Sequence, residues 1–251
     1  MRVYAISDVH IDYKENLEWL CDISNYDYKD DVIILAGDIS HKINLVEKAF
    51  QILSKSFSEV LYVTGNHDLW IRGNECKDSF MKFKQIKEVA DFYNVHMKPV
   101  NFCNIAIVPL YSWYDYSFGE LSEELIYKWT DFIACNWKDY DAPKVNNYFT
   151  ALNDEFLGER NKRIISFSHF LPSIKLMPEF IPNSMRYIYP VLGSNSLMRY
   201  IQELDSTIHI YGHSHVNVDK VENGVRYINN AFGYPREFRI SAKKLKCVYE
   251  E

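Results

Sequence analysis

Five short polar motifs hold most of the residues able to do chemistry: Ser7-Asp8-Val9-His10, Gly37-Asp38, Gly65-Asn66-His67-Asp68, Ser168-His169 and Gly212-His213-Ser214-His215. Of the 8 histidines in the chain, the five at 10, 67, 169, 213 and 215 fall inside them. Carboxylate, imidazole and amide oxygen form a mixed hard and borderline donor set. It suits Mn2+, Fe or Zn2+ better than Ca2+ and lacks the thiolates of a structural zinc site. The donors are numerous enough for two adjacent divalent ions. Two ions roughly 3.5–4 Å apart clamp the attacking and leaving oxygens of a phosphoryl displacement. A single carboxylate has to bridge such a pair, and Asp38 is the obvious candidate. Singly the motifs say little; Gly37-Asp38 alone reads more readily as a helix N-cap. The ordered combination points to a hydrolase with a two-metal centre.

Each motif directly follows an apolar, β-prone run, so those runs must position it. Strand-like runs are Val3–Ser7, Val32–Ala36, Val60–Thr64, Ile105–Pro109, Ile164–Ser168, Ile208–Tyr211 and Val225–Asn229, with Phe238–Ile240 and Lys246–Tyr249 closing the chain. Most are apolar at consecutive positions, as strands buried on both faces are. Helical patterns lie near 15–24, 42–56, 77–93, 121–135, 149–159 and 194–204. Alternation of strand and helix in the first half implies parallel βαβ units and an α/β fold. The last strands follow one another without helices, and Glu222-Asn223-Gly224 makes a tight turn between two of them, which predicts antiparallel pairing there. Ligands of parallel α/β sheets bind beyond the carboxyl ends of the strands, where every motif sits. Asp8 and His10, two apart in an extended segment, should point the same way.

The chain has 251 residues, which fits one domain spanning 1–251. The segment 110–160 is dense in aromatics, among them Trp113, Tyr114, Trp129 and Trp137. It reads either as a cap insert beside the site or as a second hydrophobic cluster. A further insertion, 170–193, carries Pro172, Pro178 and Pro182 and should be an irregular loop next to His169. The formal net charge of −6 carries no basic footprint, so nucleic acid is not an expected partner. The 5 cysteines are widely spaced with no Cys-x-x-Cys pair, which reads as free thiols in a reducing compartment. The N-terminus lacks the pattern of a signal peptide, and no apolar run is long enough to span a membrane. A cytoplasmic location is expected.

The order Asp-x-His, Gly-Asp, Gly-Asn-His-Asp, His, Gly-His-x-His over residues 8–215 resembles the calcineurin-like metallophosphoesterases. The resemblance implies a four-layer α/β/β/α sandwich, here with an aromatic-rich helical insert. It implies one metal on Asp8, His10, Asp38 and His215, and a second on Asp38, Asn66, His169 and His213. Two divalent ions are expected, Mn2+ first, with Fe or Zn2+ as alternatives. His67 would face the substrate phosphate and protonate the leaving alkoxide, with Asp68 orienting and charging it. The second motif continues Ile39-Ser40-His41-Lys42, without the Asp-Arg-Gly of protein Ser/Thr phosphatases, so that branch is not the one resembled. The implied activity is hydrolysis of small phosphate mono- or diesters through a water activated between two metals. A nuclease of the same superfamily is the alternative. A non-catalytic scaffold with this fold would lack the catalytic histidine, which is present here.

Outside the motifs, Arg72 could reach a substrate phosphate as a guanidinium fork or be an exposed loop arginine. Trp113 and Tyr114 are candidate substrate contacts from the insert. Asp12 reads as a helix N-cap or a partner of His10, and His209, between two isoleucines in a strand, as a packed structural residue.

Overall fold

The computed structural model describes residues 1–73, 75–158 and 162–251. The expected helix at 149–159 and the insert at 110–160 both end on residues outside these ranges. The first half runs β1 (Arg2–Ile6), α1 (Lys14–Cys21), β2 (Val32–Ala36), α2 (Ile43–Ser56), β3 (Glu59–Val63), α3 (Ser79–Phe92) and β4 (Val95–His96). These are three successive βαβ units, and β1 to β4 pair in parallel, β1 with β2, β2 with β3 and β3 with β4. Then follow β5 (Val100–Asn101), β6 (Ile105–Pro109), α4 (Glu123–Lys128), α5 (Asp131–Ala134), α6 (Ala142–Ala151) and β7 (Arg163–Phe167). The chain closes with α7 (Ser196–Glu203), β8 (Ser206–Tyr211), β9 (Val218–Glu222), β10 (Val225–Asn229) and β11 (Lys246–Glu250).

Two sheets result, ordered β11-β1-β2-β3-β4 and β5-β6-β7-β8-β10-β9. Both are parallel in their centres and antiparallel at edges, where β11 meets β1, β5 meets β6 and β9 meets β10. Helices flank the sheets, giving the α/β fold that the strand pattern implied and the sandwich that the resemblance implied. Every residue of β2 and of β6 is buried, which is why those strands read as unbroken apolar runs.

Three expected elements need correction, and one strand went unrecognised. Phe238–Ile240 is a turn, not a strand; the segment before it bends inward so that Glu237 reaches the imidazole of His215. The partner of β10 across Glu222–Gly224 is β9, whose Val-Asp-Lys-Val-Glu sequence alternates in exposure at a sheet edge and never forms an apolar run. The helix expected over 121–135 is broken at Trp129, which is extended (φ −81°, ψ 115°) between α4 and α5. The pattern at 149–159 is displaced too. α6 starts at 142 because Asp141 caps the N–H of Lys144 at 2.9 Å and Pro143 occupies the first turn.

Trp113 and Tyr114 of the aromatic insert pack into the same buried core as the strands. Trp113 is 1% exposed, edge-on to Trp137 at 5.0 Å and to Phe170 at 5.1 Å, with Tyr114 at 4.9 Å. No helix among the described residues is long and apolar enough to cross a membrane. Because Trp113 fills a closed interior, Trp113→Ala should cost about 3–5 kcal/mol of stability, measured by urea unfolding. An unchanged unfolding midpoint would contradict this packing.

Candidate metal centre

The motifs meet where the two sheets end. β1 delivers Asp8 and His10, β2 Asp38, β3 Asn66 and His67, β7 His169, and β8 His213 and His215. Immediately beyond the strands the backbone turns sharply. Asp8, His10, Asp38, His213 and His215 all have positive φ, between 42° and 67°. Side chains other than glycine rarely hold this left-handed conformation, which costs of order 1–3 kcal/mol each and concentrates at functional sites. The motif glycines make room. A methyl group on Gly65 would strike the Asp38 carboxylate, on Gly37 the His169 imidazole, and on Gly212 the Asp8 carboxylate.

Asp38 Oδ2 lies centrally, 3.5 Å from His169 Nε2, 3.9 Å from His10 Nε2 and 4.0 Å from His67 Nε2. On one side Asp8, His10 and His215 present ligand atoms that all lie within 4.8 Å of one another, and on the other Asp38, His169 and His213 do so. Asn66 Oδ1 completes the second group, 3.2 Å from His169 Nε2.

Hydrogen bonds behind the imidazoles fix which nitrogen faces inward. His169 Nδ1 donates to the Ala36 carbonyl at 2.8 Å and His213 Nε2 to the Val191 carbonyl at 3.0 Å. Their inner nitrogens, 3.1 Å apart, are therefore both lone pairs. Burial pushes both imidazoles below their ordinary pKa, His213 to about 3, so an extra proton does not relieve the conflict. Two imidazole lone pairs, an amide oxygen and a carboxylate converging without a proton fit a divalent cation. On the other side, burial opposes a charged His215, but Asp8 and Glu237 outweigh it and hold its pKa up to about 9. Burial, then the charges of Asp68 and Asp8, pushes Asp38 well above the carboxylate range. Nearby positive charge would relieve that too.

His67 stands at the edge of the centre, its imidazole stacked on the Trp70 indole at 3.8 Å. Burial and the neighbouring His10 hold its pKa well below the usual value. Asp68 does not counter this, contrary to expectation. Its Oδ1 accepts the N–H groups of Ile39 and Ser40, and its Oδ2 those of Asp38 and Gly65 plus the Tyr62 hydroxyl, at 2.7–3.0 Å. With both oxygens filled, Asp68 ties two strand-end loops together and makes no hydrogen bond to His67. Asp12 caps no helix; it accepts from Ser40 Oγ at 2.9 Å and faces His41. His209 is fully buried between Ser166 and Ser168, as a packed residue should be.

Two cavities open on the centre and share Asn66, His67, Trp129, Ile188 and Tyr234. One, of about 260 Å³, is walled by Trp70, Lys128, Asp131 and Tyr187. The other, of about 290 Å³, is walled by Met177, Ile181, Met185 and Leu192 from the 170–193 insertion. Arg72 is exposed and lines neither. Trp113 and Tyr114 line neither, because their rings are spent on the interior of the insert. Sequence reasoning missed Tyr234, whose ring lies 4.6 Å from that of His10, and the carboxylates of Glu237 and Asp131. Glu237 left no signal. Asp131 was discernible only as an acid between Trp129 and Phe132 in an aromatic stretch.

Residues 1–217 match the calcineurin-like phosphoesterase family. The chain belongs to that family. It is a hydrolase of phosphoric ester bonds, and the family works with divalent metals. A relative from Mycobacterium tuberculosis (strain ATCC 25618 / H37Rv), the [acyl-carrier-protein] phosphodiesterase PptH, is 23% identical over 258 residues, covering 94% of this chain and 79% of the relative. The crystal structure of that organism's phosphopantetheinyl hydrolase superposes with a TM-score of 0.85 at 21% identity, covering 100% of this chain and 96% of the other. The protein TT1561 of Thermus thermophilus shares the fold more distantly, with a TM-score of 0.52, 15% identity and coverage of 92% and 89%. That relative is named a phosphodiesterase, and this chain lacks the Asp-Arg-Gly of the protein Ser/Thr phosphatases.

Asp68→Asn would set an NH2 group against backbone N–H donors in a closed space. The expected loss is about 1–3 kcal/mol of stability, read as a lower melting temperature. Wild-type stability combined with a turnover defect would restore the role first assigned to Asp68, acting on His67.

Proposed function

We propose that this phosphoesterase uses two divalent ions, Mn2+ first among them with Fe or Zn2+ as alternatives, to hydrolyse phosphodiesters. Asp8, His10, Asp38 and His215 would hold one ion, and Asp38, Asn66, His169 and His213 the other. The observation that carries this reading is Asp38 Oδ2 standing between the two imidazole groups, 3.5 Å from His169 and 3.9 Å from His10. When bound, two such ions acidify a shared water and neutralise charge on the reacting phosphate. His67, neutral in the free protein, faces both cavities and would donate a hydrogen bond or proton to the departing ester oxygen. The anionic phosphate would supply the charge that favours its protonated form, since Asp68 does not.

Two cavities that meet at Asn66 and His67 support a substrate with a substituent in each. The relative's name makes a phosphopantetheinyl group on a carrier protein the first diester to try. The whole chain 1–251 is read as one domain, with 110–160 as its cap, since Trp129 of that segment lines both cavities. The five free cysteines favour a reducing, cytoplasmic setting.

Chelator-treated protein should be inactive on nitrophenyl phosphodiesters and regain turnover with Mn2+. In metal counting, Asp38→Ala should lose both ions while His10→Ala weakens one. Two tightly held ions in the Asp38→Ala protein would reject Asp38 as the bridge. His67→Ala should keep its metals and lose about 10²–10⁴-fold in turnover, less for nitrophenol than for alkoxide leaving groups. An equal loss on both would remove the proton-donor role.

A further inference from the structure

An amide has two chemically opposite ends: its oxygen accepts and its NH2 donates. Only the oxygen of Asn66 suits a cation. Asp131, from the insert, decides which end faces the centre. Its side chain is buried, and its Oδ1 accepts the Asn66 Nδ2 proton at 2.9 Å. Both Asp131 oxygens serve as acceptors, so this contact turns the Asn66 NH2 toward Asp131 and its Oδ1 inward, where it lies 3.2 Å from His169 Nε2. The same carboxylate accepts the indole N–H of Trp70 at 2.6 Å and of Trp129 at 2.8 Å. Trp70 is the ring on which His67 stacks.

We propose that Asp131 is a positioning residue of the metal centre. It holds the Asn66 amide with its oxygen toward the ions and, through Trp70, sets the plane on which His67 lies. The inference rests on the two-metal reading. It makes the insert a structural part of the second metal site and not a gate for substrates alone. It also accounts for the break between α4 and α5: Trp129 leaves the helix and its indole meets the carboxylate that opens α5.

The test uses the full chain, stripped of metal and titrated with Mn2+ and Zn2+ while folding is followed by circular dichroism. In Asp131→Asn, the first ion should bind as in wild type and the second about 10–100-fold more weakly, as for other residues that orient metal ligands. On a nitrophenyl phosphodiester kcat should fall while KM changes little. In an Asn66→Ala background, adding Asp131→Asn should alter second-ion affinity by less than about twofold, because the group it acts through is gone. A folded Asp131→Asn protein with both ions at wild-type affinity would overturn the proposal, as would the same loss in both backgrounds. If Asp131→Asn does not fold, the wild type still decides. The Asn66 side-chain NH2 signal in 15N-asparagine-labelled protein, assigned by its loss in Asn66→Ala, should be protected from solvent exchange even in chelator; rapid exchange would overturn the proposal. Wild-type protein that takes up no divalent ion would sink the two-metal reading itself, and this inference with it.

Discussion

The centre is assembled from groups that repel one another unless positive charge lies among them. His169 and His213 point lone pairs at each other across 3.1 Å, with an amide oxygen and a carboxylate close by. Folding has to bring these acceptors together before anything rewards their proximity. Two buried sheets supply the driving force, and their strand ends supply the placement. The local cost appears as five motif residues in left-handed backbone conformation, half of the ten non-glycine residues with positive φ among those described. Glycines at 37, 65 and 212 remove the methyl groups that would otherwise strike His169, Asp38 and Asp8.

Around this core runs a layer of acceptors that fixes orientation. Backbone carbonyls of Ala36 and Val191 and the carboxylate of Glu237 set the three imidazoles of the later strands. Asp68 binds the loops after β2 and β3 into one unit through five donors, so Asp38 and Asn66 cannot move independently. Asp131 extends the same logic to the insert. A buried carboxylate with several N–H donors is a rigid joint, since each broken bond would strand a polar group away from water.

What the sequence made legible was whatever the chain carries locally. Buried strands such as β2 and β6 announce themselves as apolar runs, and the polar residues after them mark the rim of the site. The rest depends on contacts distant in sequence. Nothing near Asp68 tells that three of its five donors, the N–H groups of Asp38, Ile39 and Ser40, arrive from 28–30 residues away. Nothing near Glu237 tells that it ends against His215. β9 escaped because an edge strand with one wet face need not be apolar. The helical pattern across Trp129 was locally sound; hydrogen bonding to a buried acid overrode it. Trp113 and Tyr114 show the converse error. Aromatic side chains beside a site suggest ligand stacking, yet here they fill the interior of the insert that carries Asp131.

Charge bears on which esters the centre can take. A phosphomonoester brings two negative charges near neutral pH and a diester one. Asp38 and Glu237 face the apolar cavity and Asp131 the other. Among the described residues lining either cavity, Lys128 is the single lysine or arginine, and its ammonium already meets Glu124 at 2.6 Å. Arg72, the guanidinium first considered for the phosphate, lies outside both. Apart from His215, already paired with Asp8 and Glu237, the side chains offer little to hold a second phosphate charge beyond what the proposed cations would neutralise. On the function proposed above, the two cavities and the single lysine lining them would suit a singly charged diester better than a doubly charged monoester, with one ester arm in the apolar cavity.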